Sequence, residues 1–451
     1  MEKLLLKEIA AALQAGCDAD AVITDICIDT REVTKGSLFV AIKGERFDGH
    51  DFIPKAFELG AAAVISHKNI SGEGPVLLVK DTRRALLELG GWYRRRFPVK
   101  VVSVTGSVGK TSTKEMVDAV LSARFKTLKT EGNLNNEIGL PKTLFRLDQS
   151  YQAAVIEMGM SGFGEISRLS KAAQGDLGII TNIGVSHIEN LGSRENILKA
   201  KLEILDGLKK EAPLVINADD DLLCKLELSD RPLIRYGVLS SSADVRAEHI
   251  KIEGNETAFE ILYNGDRYPA RVPVLGNHHV LNALAAFAAG LYFGMSPEEI
   301  IKAMPGYRPS GMRQKTVDFH GITVIEDCYN ASPDSMKASL SVLSLMRKGG
   351  KRVAVLGDML ELGAYSETAH RQVGRIAAEN HLDAVLCFGD ESKYTAEEAE
   401  KSGVPFVRHF EQKKDIAAWL RLNLIPGDAV LFKASRGMKF EEIISAFYGE
   451  E

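Results

Sequence analysis

One segment constrains the fold of this 451-residue chain more than any other. A valine-rich run, Val99–Val104, precedes the residues Thr105-Gly106-Ser107-Val108-Gly109-Lys110-Thr111, and a window with apolar residues on one helical face follows them. A buried strand, a glycine-containing turn, a Lys-Thr pair and a helix in this order are typical of a phosphate-binding loop. Glycines let backbone N–H groups converge on phosphate oxygens, and the helix N-terminus favours the anion.

This loop predicts a site for a nucleoside triphosphate. Lys110 is expected to reach the β- and γ-phosphates, and the Thr111 hydroxyl is expected to bind a magnesium ion. The full Walker pattern requires a glycine where Val104 stands, so the loop is a shortened variant. No N-K-x-D guanine motif is present, which favours ATP over GTP. The other residues expected to bind ATP here are Gly106, Ser107, Val108, Gly109 and Ser112.

Strands and helical windows alternate after the loop, which predicts a mostly parallel sheet with helices on both faces. The expected strands are Ala153–Met158, Gly178–Asn182 and Leu214–Asn217. Alternating apolar and polar residues between positions 243 and 271 predict a hairpin insert. A helix rich in small residues is expected over His279–Leu291, and Pro305 and Pro309 mark a linker.

Two smaller units are expected on either side of this central one. The first 80 or so residues mix short helices with the expected strands Ser37–Ile42, Ala62–Ser66 and Val76–Val79. Beyond Pro309 the alternation restarts, with strands at Ile322–Glu326, Arg352–Leu356, Ala384–Phe388 and Ala429–Phe432. At roughly 100–200 residues per domain, the length allows two to four domains. The pattern predicts three, spanning residues 1–82, 83–309 and 310–451 of an α/β protein.

Composition excludes several classes of protein. Hydrophobic residues make up 45% and charged residues 26%, as in a soluble globular protein. The net charge of −5 argues against a generally basic surface for nucleic acid. No run approaches the ~20 apolar residues that a bilayer span needs, and the N-terminal segment is expected to be an amphipathic helix rather than a signal peptide. Five scattered cysteines without a C-x-x-C pair argue against disulfides and zinc, and favour a reduced, cytoplasmic setting.

Two polar side chains at neighbouring strand ends are candidate metal ligands. Glu157 ends the strand Ala153–Met158, and His187 follows the next strand after a short turn. The carboxyl ends of parallel strands meet at one edge, so these residues suit magnesium or manganese, although a structural histidine is an equal interpretation. Lys199 and Lys201 lie on a helix expected over Arg194–Leu208, where lysines are ordinarily solvated.

Several motifs together resemble the Mur ligase family. The central domain is matched by TGSVGKTST, TEGNLNNEIGLP, VIEMGM, TNIGVSH followed by AKLEI, and GNHHVLNALAA. EDCYNASPDSM, LGDMLELG and FKASRGM resemble the MurF branch, and IDTREVTKGSLFVAIKGERFDGHDFI resembles its uridine-nucleotide-binding domain. The resemblance covers nearly the whole chain.

The resemblance implies an architecture and a reaction. The three domains would be a small UDP-binding domain, a central P-loop-type ATPase domain and a Rossmann-like C-terminal domain. ATP would phosphorylate the carboxylate of UDP-N-acetylmuramoyl-tripeptide, and D-alanyl-D-alanine would attack the acyl phosphate, giving an amide, ADP and phosphate. The enzyme would act in the cytoplasm, as a monomer, in peptidoglycan precursor synthesis. The sequence leaves open whether the tripeptide ends in diaminopimelate or lysine.

The resemblance also assigns catalytic roles at the strand ends. Lys110 and Thr111 match the family's phosphate and magnesium positions, and Glu157 and His187 match its second metal site. Lys201, in AKLEI, matches a lysine that the family carries as a carbamate, which turns a cation into a carboxylate-like ligand. Lys110, Lys201 and His187 are thus implied as catalytic, with Thr111, Glu157, His187 and the Lys201 carbamate as ligands of magnesium or manganese.

Other matched positions concern the nucleotide. Asn282, Arg313 and Asp327 resemble the adenine-side asparagine, the phosphate-binding arginine and the ribose-binding aspartate, with Tyr329 and Asn330 as ATP neighbours. The chain departs from the family at three positions: His279 and Ser332 replace asparagines and Ala434 replaces a glycine. Ser332, which precedes a proline, also suits a helix N-cap.

The remaining implied contacts concern the other two substrates. The uridine end would be bound by Thr30, Arg31, Lys43, Asp48, Gly49 and His50. Asn135 and Asn136 match the segment near the muramoyl substrate and the phosphates. Asp358 and Glu361, with the downstream His370, are expected near the ammonium group of the dipeptide, although an acidic turn before a helix is commonly a cap.

Two other functions compete with this interpretation. A folylpolyglutamate-synthase-like ligase shares the central and C-terminal design, but such enzymes begin directly with the ATP domain. A P-loop ATPase without synthetic chemistry would hydrolyse ATP regardless of any amino-acid acceptor.

Overall fold

The protein is described by a computed structural model that covers residues 1–17, 19–70, 74–346 and 349–450. Its first unit contains a two-stranded antiparallel pair and a four-stranded parallel sheet in the order β3-β4-β5-β6. The strands are β1 (Leu4–Leu5), β2 (Val22–Ile23), β3 (Asp25–Cys27), β4 (Ser37–Val40), β5 (Ala63–Ser66) and β6 (Val76–Leu78). The helices are α1 (Leu6–Ala12), α2 (Ile53–Glu58) and α3 (Thr82–Arg94).

The N-terminal segment departs from the expected continuous helix. Leu4 and Leu5 pair with Val22 and Ile23 as a short strand, and the helix begins only at Leu6. The pairing buries Leu4 in a core shared with the second unit. Burial of an apolar side chain outweighs the small helix propensity of two residues.

The central unit is built on a nine-stranded sheet in the order β15-β14-β13-β12-β11-β10-β7-β9-β8. Its strands are β7 (Lys100–Thr105), β8 (Thr127–Lys129), β9 (Ala153–Glu157), β10 (Leu177–Ile180), β11 (Leu214–Asn217), β12 (Leu233–Gly237), β13 (Val245–Glu253), β14 (Glu256–Tyr263) and β15 (Asp266–Val272). Pairing is parallel from β8 to β13 and antiparallel beyond. The expected hairpin is therefore a three-stranded extension of this sheet.

Helices cover both faces of the central sheet. They are α4 (Lys110–Leu121), α5 (Gly139–Leu144), α6 (Glu165–Ala173), α7 (Ile188–Leu191), α8 (Arg194–Leu202), α9 (Asn277–Tyr292) and α10 (Pro297–Ala303). The helix expected over Arg194–Leu208 ends at Leu202 and continues as a 3₁₀ turn, Glu203–Gly207. Gly207 lies against the backbone of Ser170, where a Cβ would overlap it, so packing on α6 fixes the tighter turn.

The third unit is a six-stranded sheet in the order β16-β17-β21-β18-β19-β20, parallel except for β16. Its strands are β16 (Lys315–Phe319), β17 (Ile322–Glu326), β18 (Arg352–Gly357), β19 (Ala384–Phe388), β20 (Phe406–Phe410) and β21 (Ala429–Lys433). Its helices are α11 (Pro333–Leu345), α12 (Ser366–Glu379), α13 (Ser392–Lys401), α14 (Lys413–Asn423) and α15 (Glu441–Tyr448). The two edge strands, β16 and β20, were not expected because both are partly exposed and polar.

The packing of these units creates one crevice. Apolar side chains of the first unit form a continuous core with one face of the central sheet, and α4 and α9 cover the other face. In the central sheet β7 lies between β9 and β10, so the loops after these three strands converge at one edge. Parallel α/β sheets bind ligands at such a point. No helix in the described part of the chain is long and apolar enough to cross a membrane.

Candidate active site

A cavity of about 450 Å³ lies at this edge, between the central and third units. Its walls include the loop after β7, the ends of β9 and β10, the start of α9 and the segment after β17. Most residues expected at the ATP and metal sites line it: Ser107, Val108, Gly109, Lys110, Thr111, Ser112, Glu157, His187, Lys201, Asn282, Arg313, Asp327, Tyr329 and Asn330. Asn135 and Asn136, expected near the muramoyl substrate, line it too.

The loop after β7 is fixed by its neighbour β10. A Cβ at Gly106 would overlap the Thr181 hydroxyl, so only glycine fits at this position. Asn182 Oδ1 accepts hydrogen bonds from the backbone N–H groups of Ser107 (3.1 Å) and Val108 (2.8 Å). The sequence analysis did not identify Asn182, and its position directly after a strand in TNIGVSH was the available signal.

Lys110 begins α4, and its side chain folds back over the loop. Its Nζ donates to the carbonyl oxygens of Gly106 (2.8 Å) and Ser107 (3.2 Å). Burial lowers the pKa of Lys110, whereas the nearby Glu157 carboxylate raises it. The Ser107 hydroxyl is buried without a hydrogen-bond partner. A buried hydroxyl without a hydrogen-bond partner and an ammonium group beside a helix N-terminus suit phosphate oxygens.

Glu157 is a buried carboxylate with one oxygen left unpaired. It is 1% exposed, and its Oε1 accepts from Asn135 Nδ2 at 2.8 Å. Its Oε2 has no hydrogen-bond partner and lies 3.9 Å from Nζ of the fully buried Lys114. A buried, unpaired carboxylate oxygen is costly unless a ligand satisfies it, so Glu157 fits the expected metal position. Lys114 went unnoticed because a lysine on α4 resembles a solvated residue.

Lys201 is 2% exposed, although its neighbour Lys199 is exposed as expected. No hydrogen bond or ion pair within the described residues reaches the Lys201 amine. Burial lowers its pKa well below the ordinary lysine value, and Lys110 lowers it further. The interpretation of Lys201 as a solvated residue is therefore wrong: its amine is buried at the cavity and held towards its neutral form.

His187 belongs to the central unit and contacts the third unit through its side chain. It adopts left-handed backbone geometry (φ 63°), and its Nδ1 lies 2.6 Å from Glu361 Oε2. Burial lowers the pKa of His187, with Lys110 and Lys201 acting in the same direction and Glu361 opposing them. The described residues contain no group of three His, Cys, Asp or Glu side chains that could hold a metal. The third expected ligand here is Lys201, which can act as one only after modification.

On the third-unit side, the expected nucleotide residues form two pairs. The Arg313 guanidinium stacks over the Tyr329 ring at 3.7 Å, and Lys433 Nζ contacts Asp327 Oδ2 at 2.7 Å. The Ser339 hydroxyl donates to the same Asp327 oxygen at 2.5 Å. Asp327 Oδ1 accepts from the Gln314 N–H at 3.2 Å, so these contacts fix the carboxylate in the cavity wall.

The start of α9 supplies the opposite wall. His278 Nε2 and His279 Nε2 lie 3.0 and 2.9 Å from Gln314 Oε1, a residue that the sequence analysis did not single out. Burial lowers the pKa of His278 to about 4 and that of His279 well below its ordinary value. The Asn282 side chain accepts from the Thr113 hydroxyl at 2.9 Å, which holds α9 against α4.

The structure also shows the surroundings of Ser332 and Ala434, the other two residues that depart from the family pattern. Ser332 is the N-cap of α11 in a capping box with Ser335, which agrees with its expected capping role. Ala434 is fully buried, with its Cβ close to Gly357.

The residues expected at the uridine end meet elsewhere, at the carboxyl edge of the first sheet. Asp48 accepts from the backbone N–H of His50 at 3.0 Å and contacts His50 Nδ1 at 2.6 Å and Lys68 Nζ at 2.8 Å. A Cβ on Gly49 would press against the backbone of Ile42, so the turn requires glycine. The backbones of Lys43 and Asp48 form an isolated antiparallel β-bridge. The 3₁₀ turn Thr30–Glu32 follows β3 at the same edge, and there Arg31 forms an ion pair with Asp29.

The turn that contains Asp358 and Glu361 does not line the cavity. Asp358 is buried, and its Oδ1 accepts from the backbone N–H groups of Glu391 (3.2 Å) and Ser392 (2.8 Å) at the start of α13. His370 is buried too, and its Nε2 accepts from the Met359 N–H at 3.0 Å. Asp358 and His370 therefore hold the turn, which agrees with the capping role left open for the acidic residue, and Glu361 faces His187. A contact of these residues with the dipeptide stays a prediction.

Comparison with known proteins agrees with this arrangement. Residues 22–102 match the Mur ligase family, catalytic domain, residues 104–290 match the Mur ligase middle domain, and residues 312–436 match the Mur ligase, glutamate ligase domain. The chain is 42% identical to the UDP-N-acetylmuramoyl-tripeptide--D-alanyl-D-alanine ligase of Bacillus subtilis (strain 168), covering 94% of this chain and 93% of that relative.

Solved structures give the same result. A crystal structure of MurF from Acinetobacter baumannii matches with a TM-score of 0.93 at 31% identity, covering 100% of this chain and 99% of that chain. The MurF ligase of Thermotoga maritima, solved in complex with ADP, matches with a TM-score of 0.87 at 30% identity, covering 94% and 97%. With a phosphate loop, a buried carboxylate and a buried lysine in one cavity, and with relatives that match along its whole length, the chain belongs to the Mur ligase family.

Proposed function

We propose that this chain joins D-alanyl-D-alanine to UDP-N-acetylmuramoyl-tripeptide with the hydrolysis of ATP, an amide-bond-forming step of peptidoglycan synthesis. The observation that carries the proposal is the convergence of the phosphate loop, Glu157, His187 and Lys201 on one cavity, in a chain 42% identical to a relative of that name. The products are UDP-N-acetylmuramoyl-pentapeptide, ADP and phosphate.

The chemistry follows from the poor reactivity of a carboxylate. A carboxylate oxygen of the tripeptide attacks the γ-phosphorus of ATP, the bond from that phosphorus to the β,γ-bridging oxygen breaks, and ADP leaves. The amine of the dipeptide, once deprotonated, attacks the acyl carbon, and phosphate leaves as the amide forms. Both partners of the first step are anions, so Lys110 and the N-terminus of α4 are placed to bind the phosphates and reduce their repulsion.

The unpaired carboxylate oxygen of Glu157 fits a divalent cation. Thr111, Glu157, His187 and the modified Lys201 would hold magnesium or manganese, which when bound neutralises charge between the triphosphate and the carboxylate. Oxygen ligands and an imidazole suit these ions. Asn135, bonded to Glu157 Oε1, leaves Oε2 for the metal.

Carbamylation of Lys201 is the second part of the proposal. Only the neutral amine attacks the carbon of CO₂, and burial holds Lys201 towards that form. A C–N bond forms, one C=O bond of CO₂ becomes C–O⁻, and the nitrogen releases a proton. The product replaces a buried cation beside Lys110 with an anion, which removes the repulsion between the two lysines.

We assign one substrate mainly to each unit. Residues 1–82 would bind the UDP end through the first-sheet edge, residues 83–309 the ATP phosphates, and residues 310–451 the dipeptide and part of the nucleotide. We also propose that the active form is a monomer. Five free cysteines support a reduced, cytoplasmic setting.

Phosphate release measured with purified protein, ATP and magnesium tests the function. We expect release only when UDP-N-acetylmuramoyl-tripeptide and D-alanyl-D-alanine are both present. Release with neither substrate would identify a simple ATPase, and release with a folate and glutamate instead would identify a folylpolyglutamate-synthase-like ligase. Either result would contradict the proposal.

A further inference from the structure

The 358–363 turn of the third unit, Asp358-Met359-Leu360-Glu361-Leu362-Gly363, is a rigid element without a role in the cavity. The buried side chains of Asp358 and His370 hold it from within the third unit. The Leu360 N–H donates to the Ser435 hydroxyl at 2.9 Å, which ties the turn to the segment after β21. Within this frame Glu361 has left-handed backbone geometry (φ 63°), which a glutamate adopts only when its surroundings require it.

The turn docks on the segment that carries His187. Val185 and Ile188, on either side of His187, pack against the apolar core of the third unit. Gly363 lies against Glu189, and a Cβ on Gly363 would approach the Glu189 side chain to 3.2 Å. The two segments therefore meet through apolar packing and close backbone approach, and the contact does not depend on one exposed ion pair.

At the centre of this contact, the Glu361 carboxylate pairs with His187 and with no other side chain in the described part of the chain. Its Oε2 lies 2.6 Å from His187 Nδ1, and the Glu361 side chain is otherwise 60% exposed. His187 Nδ1 is buried and has no hydrogen-bond partner, so its contact with Glu361 is an ion-pair contact without hydrogen-bond geometry. The His187 side chain as a whole is 23% exposed and lines the cavity.

We infer that Glu361 is a positioning residue for His187, supplied by a different unit of the fold. The carboxylate lies against the Nδ1 edge of the ring, and this contact would orient the ring so that its other nitrogen, Nε2, can reach the metal position beside Glu157 and Lys201. A carboxylate behind an imidazole fixes its orientation and raises its basicity as a ligand. Because the two residues belong to different units, the metal site is complete only when the third unit is docked. This inference rests on the proposed function, and it differs from the dipeptide contact that the family resemblance implies for Glu361.

The test compares Glu361→Ala and Glu361→Gln with the unchanged full-length protein in bicarbonate buffer. Manganese binding is measured calorimetrically in the presence of UDP-N-acetylmuramoyl-tripeptide and a non-hydrolysable ATP analogue, without the dipeptide. We expect Glu361→Ala to weaken manganese binding by about 10–100-fold, with a smaller loss for Glu361→Gln. In turnover assays we expect kcat to fall. The KM for D-alanyl-D-alanine should stay within about twofold, because on this inference Glu361 does not contact the dipeptide and its removal leaves dipeptide binding intact.

Two controls isolate the contact. Glu367→Gln removes a carboxylate in the first turn of α12 that pairs with Arg371 alone among the described residues, and it is expected to leave every measurement unchanged. In a His187→Ala background, Glu361→Ala is expected to add little further loss, because residues that act through one another are not additive.

Two outcomes would overturn the inference. One is unchanged manganese binding in Glu361→Ala with a KM for the dipeptide raised about tenfold, and the other is full additivity with His187→Ala. Manganese binding is measured without the dipeptide, so no product forms during the measurement. The role of Glu361 in metal binding and the proposed reaction can therefore fail independently of each other.

Discussion

Two regions of the molecule contain clustered polar residues at the carboxyl ends of parallel strands. One is the cavity between the central and third units, and the other is the edge of the first sheet. The polar residues in the two regions are paired differently. In the cavity, Ser107 Oγ and Glu157 Oε2 are buried without a hydrogen-bond partner, and the Lys201 amine has none within the described residues. At the first-sheet edge, Asp48 is paired with His50 and Lys68, and Arg31 with Asp29.

This difference indicates how each region affects the stability of the protein when no ligand is bound. Unpaired buried groups lower stability, so the cavity is maintained at a cost that a bound ligand offsets. Paired groups at an exposed edge stabilise a surface that is already shaped for its ligand. Substitutions in the cavity should therefore remove activity without loss of stability, and substitutions at the first-sheet edge should reduce both substrate affinity and stability.

Lys201→Ala gives the largest expected effect. It removes the proposed carbamate, and the loss of a metal ligand that stabilises charge by several kcal/mol predicts a fall in kcat of about 10³-fold or more. The melting temperature is expected to stay equal or rise, because the substitution removes a buried, unpaired amine. Phosphate release and thermal melting check the two parts.

Small carboxylates such as formate or acetate should partly restore turnover in Lys201→Ala, since they can occupy the place of the carbamate. Lys199→Ala, two positions earlier on the same helix and exposed, is the matched control and should be fully active. Full activity in Lys201→Ala, or a marked loss of stability, would break the contrast between the regions.

Asp48→Asn tests the first-sheet edge. The amide cannot form the ion pairs with His50 and Lys68, so the turn that carries Gly49 should loosen. We expect the KM for UDP-N-acetylmuramoyl-tripeptide to rise about tenfold, the effect of one lost charged hydrogen bond, with kcat unchanged and a lower melting temperature.

Asp51→Asn is the control for that substitution, because Asp51 is exposed in the same 3₁₀ turn and makes no side-chain hydrogen bond within the described residues. A fall in kcat with Asp48→Asn, at unchanged KM and stability, would show that the edge behaves like the cavity.

The same contrast explains which parts of the molecule the sequence could predict. Strand-loop-helix order and strand ends are local patterns, so the phosphate loop and the placement of Glu157 and His187 at the edge of one sheet were predictable. The burial of Lys114 and Lys201 was not predictable from the local sequence. Lysines on helices are usually exposed, and whether one is buried depends on how several helices and strands pack around it. The family resemblance alone marked Lys201. It did not mark Lys114, whose Nζ donates to the Thr130 carbonyl at 2.7 Å.

The structural roles of Asp358 and His370 were not predictable for a related reason. An acidic residue in a motif can bind a ligand or cap a backbone, and the choice depends on where Glu391 and Ser392 fold, about 30 residues later. Polar edge strands such as β16 and β20 lack the apolar pattern that identifies an interior strand.

The smallest expected effect is a pH dependence of stability from the histidines on the cavity wall. Burial holds His278 and His279 neutral, with the pKa of His278 lowered to about 4 from an ordinary value of 6.5. As the pH falls below about 6.5, the unfolded chain takes up protons that the folded chain does not, so stability is fully present above that pH and is lost towards pH 4. Replacing both residues by asparagine should flatten this dependence. Between about pH 7 and pH 5 we expect the unchanged protein to lose about 4 °C more in melting temperature than the double variant.

This last measurement separates burial in the cavity wall from general acid sensitivity. His381→Asn is the matched control, because His381 is exposed and has positive φ (52°), a conformation that asparagine also tolerates. It should keep the pH dependence of the unchanged protein. Equal slopes in the control and the double variant would mean that the two imidazoles are solvated in solution. The loss of stability at low pH would then arise from other groups, and the buried imidazoles of the cavity wall would not contribute to the contrast between the two regions.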